Sequence, residues 1–383
     1  MPASNARPTE PAISTTLAET LQSKLLAWFA SPGVRRDLPW RRTKDPYAVW
    51  LSEIMLQQTR VDTVIPYYER FLGAFPTVDA LAEAPSDQVM SLWSGLGYYR
   101  RARMLHEAAQ QIARTRGGVF PGTAAGLVAI RGVGRYTAGA VASIAFGERT
   151  PLVDGNVARV LARLFAVEDD VQRGPGLARV WEIADELVPA RRAGDWNEAL
   201  MELGATTCTP RAPRCDACPL RSSCVGRARG IEASLPRLRA KMKPLVECRV
   251  ALVATVRRNH VLLRRRPDGL FGGLWEPPTV PATADDDDAI EAFIALLGVS
   301  LERVRFAGAI THTLSHRRLE ARVLTATLSR SPTLAEHETY DALALLPPAG
   351  FDDLGMSTFA RKVLTRAGTL APVPVVPSRG KSL

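Results

Sequence analysis

The sequence lacks a long apolar run. No stretch of the 383-residue chain approaches the roughly 18–20 uninterrupted apolar residues that a membrane-spanning helix needs, so we expect no membrane partner. The segment from Met1 to Thr16 is polar and contains proline, and it lacks the apolar core of a secretion signal. These absences predict a cytoplasmic protein.

Cysteine is scarce and unevenly placed. The chain has five cysteines, and one of them, Cys248, stands apart and is predicted to be a free thiol in the core. The other four follow the pattern C-x6-C-x2-C-x5-C, at Cys208, Cys215, Cys218 and Cys224. In a reducing compartment, thiols grouped this closely bind a metal centre more often than they form disulfides. Zinc and an iron–sulfur cluster both remain open, because the number of ligands does not choose between them.

Acidic residues are too few to balance the basic ones. The net charge is +10, which predicts a polyanionic partner. Half of this excess lies in residues 227–243, whose net charge is +5. This segment is either a solvated basic linker or a strap across a phosphate backbone.

Alternating strand patterns are missing up to about residue 204, so we predict that the domain at residues 14–226 is mainly α-helical. Residues 47–59 have a helical pattern in which Glu53 is flanked by Leu51, Ile54, Met55 and Leu56. Burial among these neighbours would raise the pKa of Glu53 and keep it protonated, as a general acid requires. The alternative is an ordinary helix glutamate at a solvated edge.

A glycine-rich turn is predicted between two short helices. Gly132 and Gly134 lie between helical patterns at residues 125–131 and 137–146. Backbone N–H groups at the start of the second helix would form an anion site, which holds a DNA backbone without reading its sequence. A plain turn is the alternative.

Asp154 follows an apolar segment and precedes a helical pattern at residues 158–165. It is either a helix N-cap or, paired with Glu53, one of two catalytic carboxylates. Breaking an N-glycosidic bond needs an acid for the departing base and a negative charge beside the cationic sugar.

The pattern changes at Leu245. Strand-like segments lie at 249–256, 261–264, 304–310 and 319–328. A helix that begins with acidic residues is predicted at 285–297. We therefore predict five regions: a disordered tail (1–13), the helical domain (14–226, with the cysteine loop at 208–224), a basic linker (227–244), an α+β domain (245–366) and a disordered tail (367–383).

Together these stretches resemble the adenine DNA glycosylase (MutY) family of the helix-hairpin-helix and endonuclease III superfamily. The most specific matches are Ser52-Glu53 through Gln57-Gln58-Thr59, the glycine hairpin, Val153-Asp154-Gly155-Asn156 and the cysteine spacing. The resemblance implies a multidomain fold, with a helix-hairpin-helix glycosylase domain, a 4Fe–4S cluster on the cysteines and a Nudix-like domain used for recognition. It implies a monomer that binds double-stranded DNA with A:8-oxoguanine or A:G mispairs, associated with the chromosome.

The resemblance also implies roles for individual residues. Glu53 matches the acid that protonates adenine, Asp154 the carboxylate that stabilises the sugar cation, and Asn156 its hydrogen-bond partner. Tyr136 matches the active-site tyrosine. The walls of the adenine pocket would be Arg36, Leu38, Trp40, Arg41 and Glu198. Recognition of 8-oxoguanine would fall to Gln58, Thr59, Leu96, Tyr98, Leu314, Ser315 and His316, and backbone contacts to Gly132 and Gly134.

Three positions depart from patterns seen in relatives. Bifunctional members of the superfamily carry a lysine in place of Tyr136, and a tyrosine cannot form a Schiff base with the sugar. We therefore predict a monofunctional enzyme that leaves an abasic site. The lesion-reading loop has Leu314 where the family usually has phenylalanine. Residues 289–296 lack the glutamate cluster of an active Nudix box, so we expect no nucleotide hydrolysis.

Three rival functions remain: an endonuclease III-like enzyme for oxidised pyrimidines, a non-catalytic lesion-binding protein, and a Nudix-type nucleotide hydrolase. The first would carry the lysine and lack the second domain. The second would make Glu53 and Asp154 incidental. The third would need the absent glutamates.

Overall fold

The structure is a computed structural model that describes residues 13–238, 243–282 and 286–371. Parts of both predicted tails and of the basic linker lie outside the described residues, at 1–12, 239–242 and 372–383. By contacts the chain divides into two compact units. We call them the helical unit (described parts of Met1–Ala82 and Glu107–Ala240) and the sheet unit (described parts of Glu83–His106 and Lys241–Leu383).

The described chain before residue 239 is mainly α-helical, which confirms the predicted fold class. Its α-helices are α1 (Thr15–Ala30), α2 (Pro46–Leu56), α3 (Val61–Ala74), α4 (Val78–Glu83), α5 (Ser86–Leu92), α6 (Arg100–Arg116), α7 (Ala124–Val128), α8 (Arg135–Ala145), α9 (Gly155–Phe165), α10 (Gly174–Leu187), α11 (Ala193–Thr206) and α12 (Val225–Ala228). No helix among the described residues is long and apolar enough to cross a membrane.

Helix α1 shows how the apolar spacing sets the packing. Leu21, Leu25 and Phe29 recur every four residues and are buried. Ser14 is the cap, because its extended backbone lets its side chain accept the N–H of Leu17.

Helix α8 lies in the core of the helical unit. All residues from Thr137 to Ile144 are buried, and most are small. Gly139 shows why they must be small, since a Cβ there would lie 2.3 Å from the carbonyl oxygen of Pro151. The helix that follows the glycine hairpin is therefore held rigidly against its neighbours.

The sheet unit contains one mixed sheet with the order β3-β2-β1-β6-β5, in which β4 also pairs with β1 and β7 with β2. The strands are β1 (Leu245–Val256), β2 (Asn259–Arg265), β3 (Trp275–Glu276), β4 (Thr279–Pro281), β5 (Leu301–Thr313), β6 (Arg317–Leu328) and β7 (Tyr340–Leu346). The β1–β6 pair is parallel and the other pairs are antiparallel.

A helix covers each face of this sheet. Along β1, Val250, Leu252 and Ala254 pack in one apolar cluster with α13 (Asp286–Leu297). The alternate residues Ala251 and Val253 pack in a second cluster with α14 (Thr358–Arg366). This alternation follows from the two-residue repeat of a strand, and it explains why β1 is apolar on both sides.

Residues 83–106, which the sequence assigns to the helical domain, group instead with the sheet unit. Three hydroxyl groups of this segment donate to sheet-unit carbonyls: Ser91 to Asp352 (2.7 Å), Ser94 to Met356 (2.8 Å) and Tyr99 to Met356 (2.9 Å). These bonds join residues more than 250 positions apart, so local sequence gives no sign of them.

Candidate active site

A cavity of about 480 Å³ opens in the helical unit. The cavity is lined by residues from α2, α8, α9, α11 and the loop before α2. The predicted catalytic and pocket residues all line it, together with two predicted lesion contacts: Glu53, Tyr136, Asp154, Asn156, Arg36, Leu38, Trp40, Arg41, Glu198, Gln58 and Thr59. Their predicted roles remain predictions, but their convergence makes this cavity the candidate active site.

Glu53 is buried at the cavity wall, with 4% of its surface exposed. Burial raises its pKa from 4.5 to about 7, helped by the charges of Asp154 and Glu198 and opposed by the Tyr136 hydrogen bond and the charge of Arg41. The pattern of apolar neighbours around Glu53 in α2 thus produces a carboxyl group that still holds a proton near neutral pH.

Tyr136 lies in the first turn of α8 and its hydroxyl donates a hydrogen bond to Oε2 of Glu53. Its oxygen also lies 3.7 Å from the sulfur of Met201. Burial and the neighbouring Glu53 raise the pKa of Tyr136 well above 10, so the phenol stays neutral and acts as a donor. This bond fixes the orientation of the Glu53 carboxyl group.

Asp154 is the N-cap of α9 and also lines the cavity, and its catalytic role remains a prediction. As the N-cap of α9, it accepts the N–H of Val157 at Oδ1 (2.7 Å), and the Asn156 amide donates to Oδ2 (2.9 Å). Burial is the largest influence and raises the pKa of Asp154 above its ordinary value, although these hydrogen bonds and the charge of Arg159 act to lower it. The bonding that caps the helix therefore also holds the carboxylate in place at the cavity.

Arginine and glutamate side chains form one wall. Arg41 lies 3.4 Å from Glu198 and 2.8 Å from Glu202, and Arg36 lies 2.7 Å from Glu202. Arg35 lies 3.2 Å from Glu198. Trp40 is held near them by an edge-on contact with Tyr68, at 5.4 Å between ring centroids.

The glycine hairpin lies between α7 and α8, as predicted. Gly132 has a φ of 77°, a left-handed conformation that favours glycine. Gly134 has an ordinary φ of −84° and is the N-cap of α8, without any side-chain hydrogen bond to the helix. A Cβ at Gly134 would meet nothing within 4 Å, so the approach to its backbone is open.

The remaining predicted lesion contacts lie in the sheet unit and do not line the cavity. Ser315 and His316 are exposed in the turn between β5 and β6, and Leu314 is half-buried at its start. The hydroxyl groups of Tyr98 and Ser315 are hydrogen-bonded to each other. Leu96, in contrast, is only 5% exposed.

The four clustered cysteines are free and part-buried in the loop between α11 and α12. Burial, and the charges of the other cysteines in the loop, raise the pKa values of Cys215, Cys218 and Cys224. Arg163 donates to the sulfur of Cys208 at 3.3 Å. Within the described residues, no three His, Cys, Asp or Glu side chains converge on a position for one metal ion.

Sequence reasoning missed several cavity residues, among them Ser52, Gln57, Met201 and Ala205. Ser52 and Gln57 lie within the motif around Glu53, which could have indicated them. Met201 and Ala205 lie on the same side of α11 as Glu198, at spacings of three and seven residues. A helical projection from Glu198 would have found them.

Comparisons with known proteins agree with this geometry. The profile of HhH-GPD superfamily base excision DNA repair proteins matches residues 51–184, and that of the NUDIX domain matches residues 250–366. The chain is 37% identical to the adenine DNA glycosylase of Mus musculus, over 81% of this chain and 71% of that protein. It is 34% identical to the adenine DNA glycosylase of Schizosaccharomyces pombe, over 85% and 86%.

A solved structure agrees for the helical part. A thermostable thymine-DNA glycosylase is 30% identical and superposes with a TM-score of 0.50, over 55% of this chain and 97% of that one. The cavity carboxylates lie in or beside the matched superfamily segment, and the sheet unit contains the matched NUDIX segment. The chain is thus a DNA glycosylase with a Nudix-like domain, and it belongs to the adenine DNA glycosylase family.

Proposed function

We propose that this enzyme removes adenine mispaired with 8-oxoguanine or guanine from double-stranded DNA, and that it stops at the abasic site. The observation that carries this proposal is the pair of unlike carboxyl groups at one cavity, Glu53 and Asp154. The relatives are adenine DNA glycosylases, which supports adenine as the base that is removed. The residues around the two carboxyl groups supply the chemistry.

Glu53 serves as the general acid. The target adenine must leave the base stack before its glycosidic bond can be reached, and the cavity is where it would be received. A carboxyl group with a pKa of about 7 still holds its proton near neutral pH and can pass it to N7 of adenine. Protonation makes the base a better leaving group.

Asp154 serves as the fixed anion. Both of its oxygens accept hydrogen bonds, from the Val157 N–H and the Asn156 amide, and such bonds favour the ionised form. As the bond breaks, the sugar becomes cationic, and the carboxylate stabilises it until water adds. Because Tyr136 has no amine, no Schiff base forms and the strand stays intact.

Recognition of 8-oxoguanine falls to two groups of residues in this proposal. Gln58 and Thr59 line the cavity rim, and Gln58 has a φ of 57°. Tyr98, with a φ of 49°, shares a hydrogen bond with Ser315 in the sheet unit. Left-handed backbone at non-glycine residues is costly and gathers at functional sites. The glycine hairpin, the cysteine loop and the basic linker hold the DNA backbone, and the enzyme acts as a cytoplasmic, chromosome-associated monomer.

A 4Fe–4S cluster on the four cysteines completes the proposal. Four thiols with no other ligand type are the usual donor set of such a cluster. Zinc can be bound by the same four thiolates, and the family resemblance favours the iron–sulfur cluster. When bound, the cluster braces the loop that carries Arg211, Arg214 and Arg221.

The test uses duplexes that contain A:8-oxoguanine, A:G, T:G or an oxidised pyrimidine, each incubated with the enzyme with and without alkali. We expect strand breaks only after alkali, only on the adenine strand, and fastest opposite 8-oxoguanine. Breaks without alkali would contradict the abasic end point. Excision of thymine or oxidised pyrimidine in place of adenine would contradict the substrate.

A further inference from the structure

Two buried glutamates lie one turn apart on α11. Glu198 lines the cavity, and Glu202 lies behind it, outside the set of cavity-lining residues. Glu202 is completely buried, with an exposed fraction of 0%. A buried carboxyl group needs positively charged or hydrogen-bonding partners.

Glu202 holds two arginines of the cavity wall. Its Oε1 accepts Nε of Arg36 at 2.7 Å, and its Oε2 accepts Nη2 of Arg36 at 3.0 Å and Nη2 of Arg41 at 2.8 Å. The Arg36 contact is bidentate, which fixes the plane of the guanidinium as well as its position. Thus a residue that does not reach the cavity sets the geometry of two that do.

The pKa values of the two glutamates are shifted in opposite directions. Burial acts to raise the pKa of Glu202, but the hydrogen bonds and charges of Arg36 and Arg41 outweigh it and lower the pKa. Burial raises the pKa of Glu198 against the charges of Arg41 and Arg35. Glu202 is therefore the permanent anion of this wall.

We propose that Glu202 is a positioning residue for adenine removal, which orients Arg36 and Arg41 at the cavity wall and sets the net charge that Glu53 experiences. This inference rests on the proposed function and names a residue that acts through others. Arg41, one of the two cations that Glu202 pairs with, also acts on the charge of Glu53.

The direction of the electrostatic effect follows from the charges around Glu53. Tyr136, Asp154, Glu198 and Arg41 act on it from α8, α9, α11 and the loop before α2. Loss of the Glu202 anion leaves Arg41 less neutralised, which stabilises the charged form of Glu53 and lowers its pKa. Loss of the Arg36 cation leaves Glu202 less neutralised and raises the pKa of Glu53.

The experiment measures single-turnover adenine release from an A:8-oxoguanine duplex as a function of pH. For Glu202→Gln we expect the alkaline decline to move down by about one pH unit, with a roughly tenfold lower rate above the decline. For Arg36→Gln we expect the decline to move up. Glu202→Asp keeps the charge and should leave the decline in place, even if the rate falls.

The matched control is Glu276→Gln. Glu276 is equally buried (1% exposed) and paired with Arg265 at 2.7 Å, but it lies in the sheet unit. We expect this variant to lose stability and keep the parent's pH profile. A folded Glu202→Gln variant with the parent's alkaline decline would overturn the inference. If that variant does not fold, the inference is overturned when the alkaline decline of Arg36→Gln does not move to higher pH.

A second readout separates this inference from the proposed function. If the parent releases no adenine from any duplex, the proposed function fails. The pKa of Glu53 is then followed through the stability gained on Glu53→Gln as a function of pH. The gain begins near the unfolded-state pKa and levels off near the folded-state pKa of Glu53. It should therefore level off at lower pH and at a smaller value in the Glu202→Gln background, and an unchanged plateau would overturn the role of Glu202.

Discussion

At the scale of single residues, the two cavity carboxyl groups differ in what surrounds them. Glu53 is enclosed by apolar side chains of α2 and accepts one bond, from Tyr136. Asp154 caps a helix and accepts bonds at both oxygens. Burial acts on both, but the additional donors around Asp154 favour its ionised form, and Glu53 has fewer of them. In the proposed function, these unlike environments make Glu53 the acid and Asp154 the anion.

The raised pKa of Glu53 predicts a pH-dependent gain in stability for Glu53→Gln. A carboxyl group whose pKa rises from 4.5 to about 7 on folding favours the folded state below pH 4.5, and this contribution is lost as the pH rises through 7. The Gln variant should therefore be more stable by roughly 3 kcal/mol at pH 8. Urea unfolding of both proteins at pH 4 and pH 8 measures this gain, and an equal difference at the two pH values would contradict it.

At the scale of elements, the catalytic end of α9 depends on the close approach of α11. A Cβ at Gly204 would lie 2.6 Å from the Cβ of Asn156 and 3.0 Å from its carbonyl oxygen. Glycine is required there for space, because the backbone itself is ordinary helix. The contact lets α11 support the residue that donates to Asp154.

Gly204→Ala should displace Asn156 and with it the Asp154 carboxylate. We expect adenine release to slow by at least about tenfold, since displacements of about 1 Å at a reacting centre have large effects. Stability should fall by roughly 1–3 kcal/mol from overpacking. The control is Gly73→Ala in α3, where a Cβ meets nothing within 4 Å, and which should keep the parent's activity. Parent-like turnover by Gly204→Ala would argue against this support.

The elements differ in how far the sequence predicts them. Helices α1, α2, α8 and α9 and strands β1, β2, β5 and β6 have periodic patterns long enough to be recognised. Strands β3 and β4 have only two and three residues, too short for any periodicity, and they form because neighbouring strands pair with them. Glu53 and Asp154 were found because their local motifs are informative. Glu202 was missed because its partners lie 161 and 166 residues away.

At the scale of the whole molecule, the positive charge and the cysteine loop both bear on how the enzyme binds DNA. Arg163 ties the loop to α9, donating to the carbonyls of Thr209 (2.7 Å) and Pro210 (3.0 Å) as well as to the Cys208 sulfur. Arginines of the loop itself are exposed. A braced basic loop would contact phosphates without reading sequence.

Cys218→Ser should therefore lower the iron and sulfide content of the purified protein and weaken its binding to any duplex, with or without a mispair. We expect the loop to become cleavable by trypsin at its arginines, and the salt dependence of DNA binding to become less steep. Cys248→Ser is the control, since this thiol lies outside the loop and is exposed, so its predicted place in the core was wrong. Full iron content in Cys218→Ser would contradict the assignment of this cysteine as a ligand.

The most direct test of the account is the pH dependence of adenine release from an A:8-oxoguanine duplex, measured as kcat/KM, which reports groups of the free enzyme. If Glu53 is the general acid, the rate should decline above a pH of about 7, by about tenfold for each further unit. Glu53→Gln should bind the duplex and release no adenine. A rate that stays level from pH 6 to pH 9, together with normal turnover by Glu53→Gln, would contradict the account.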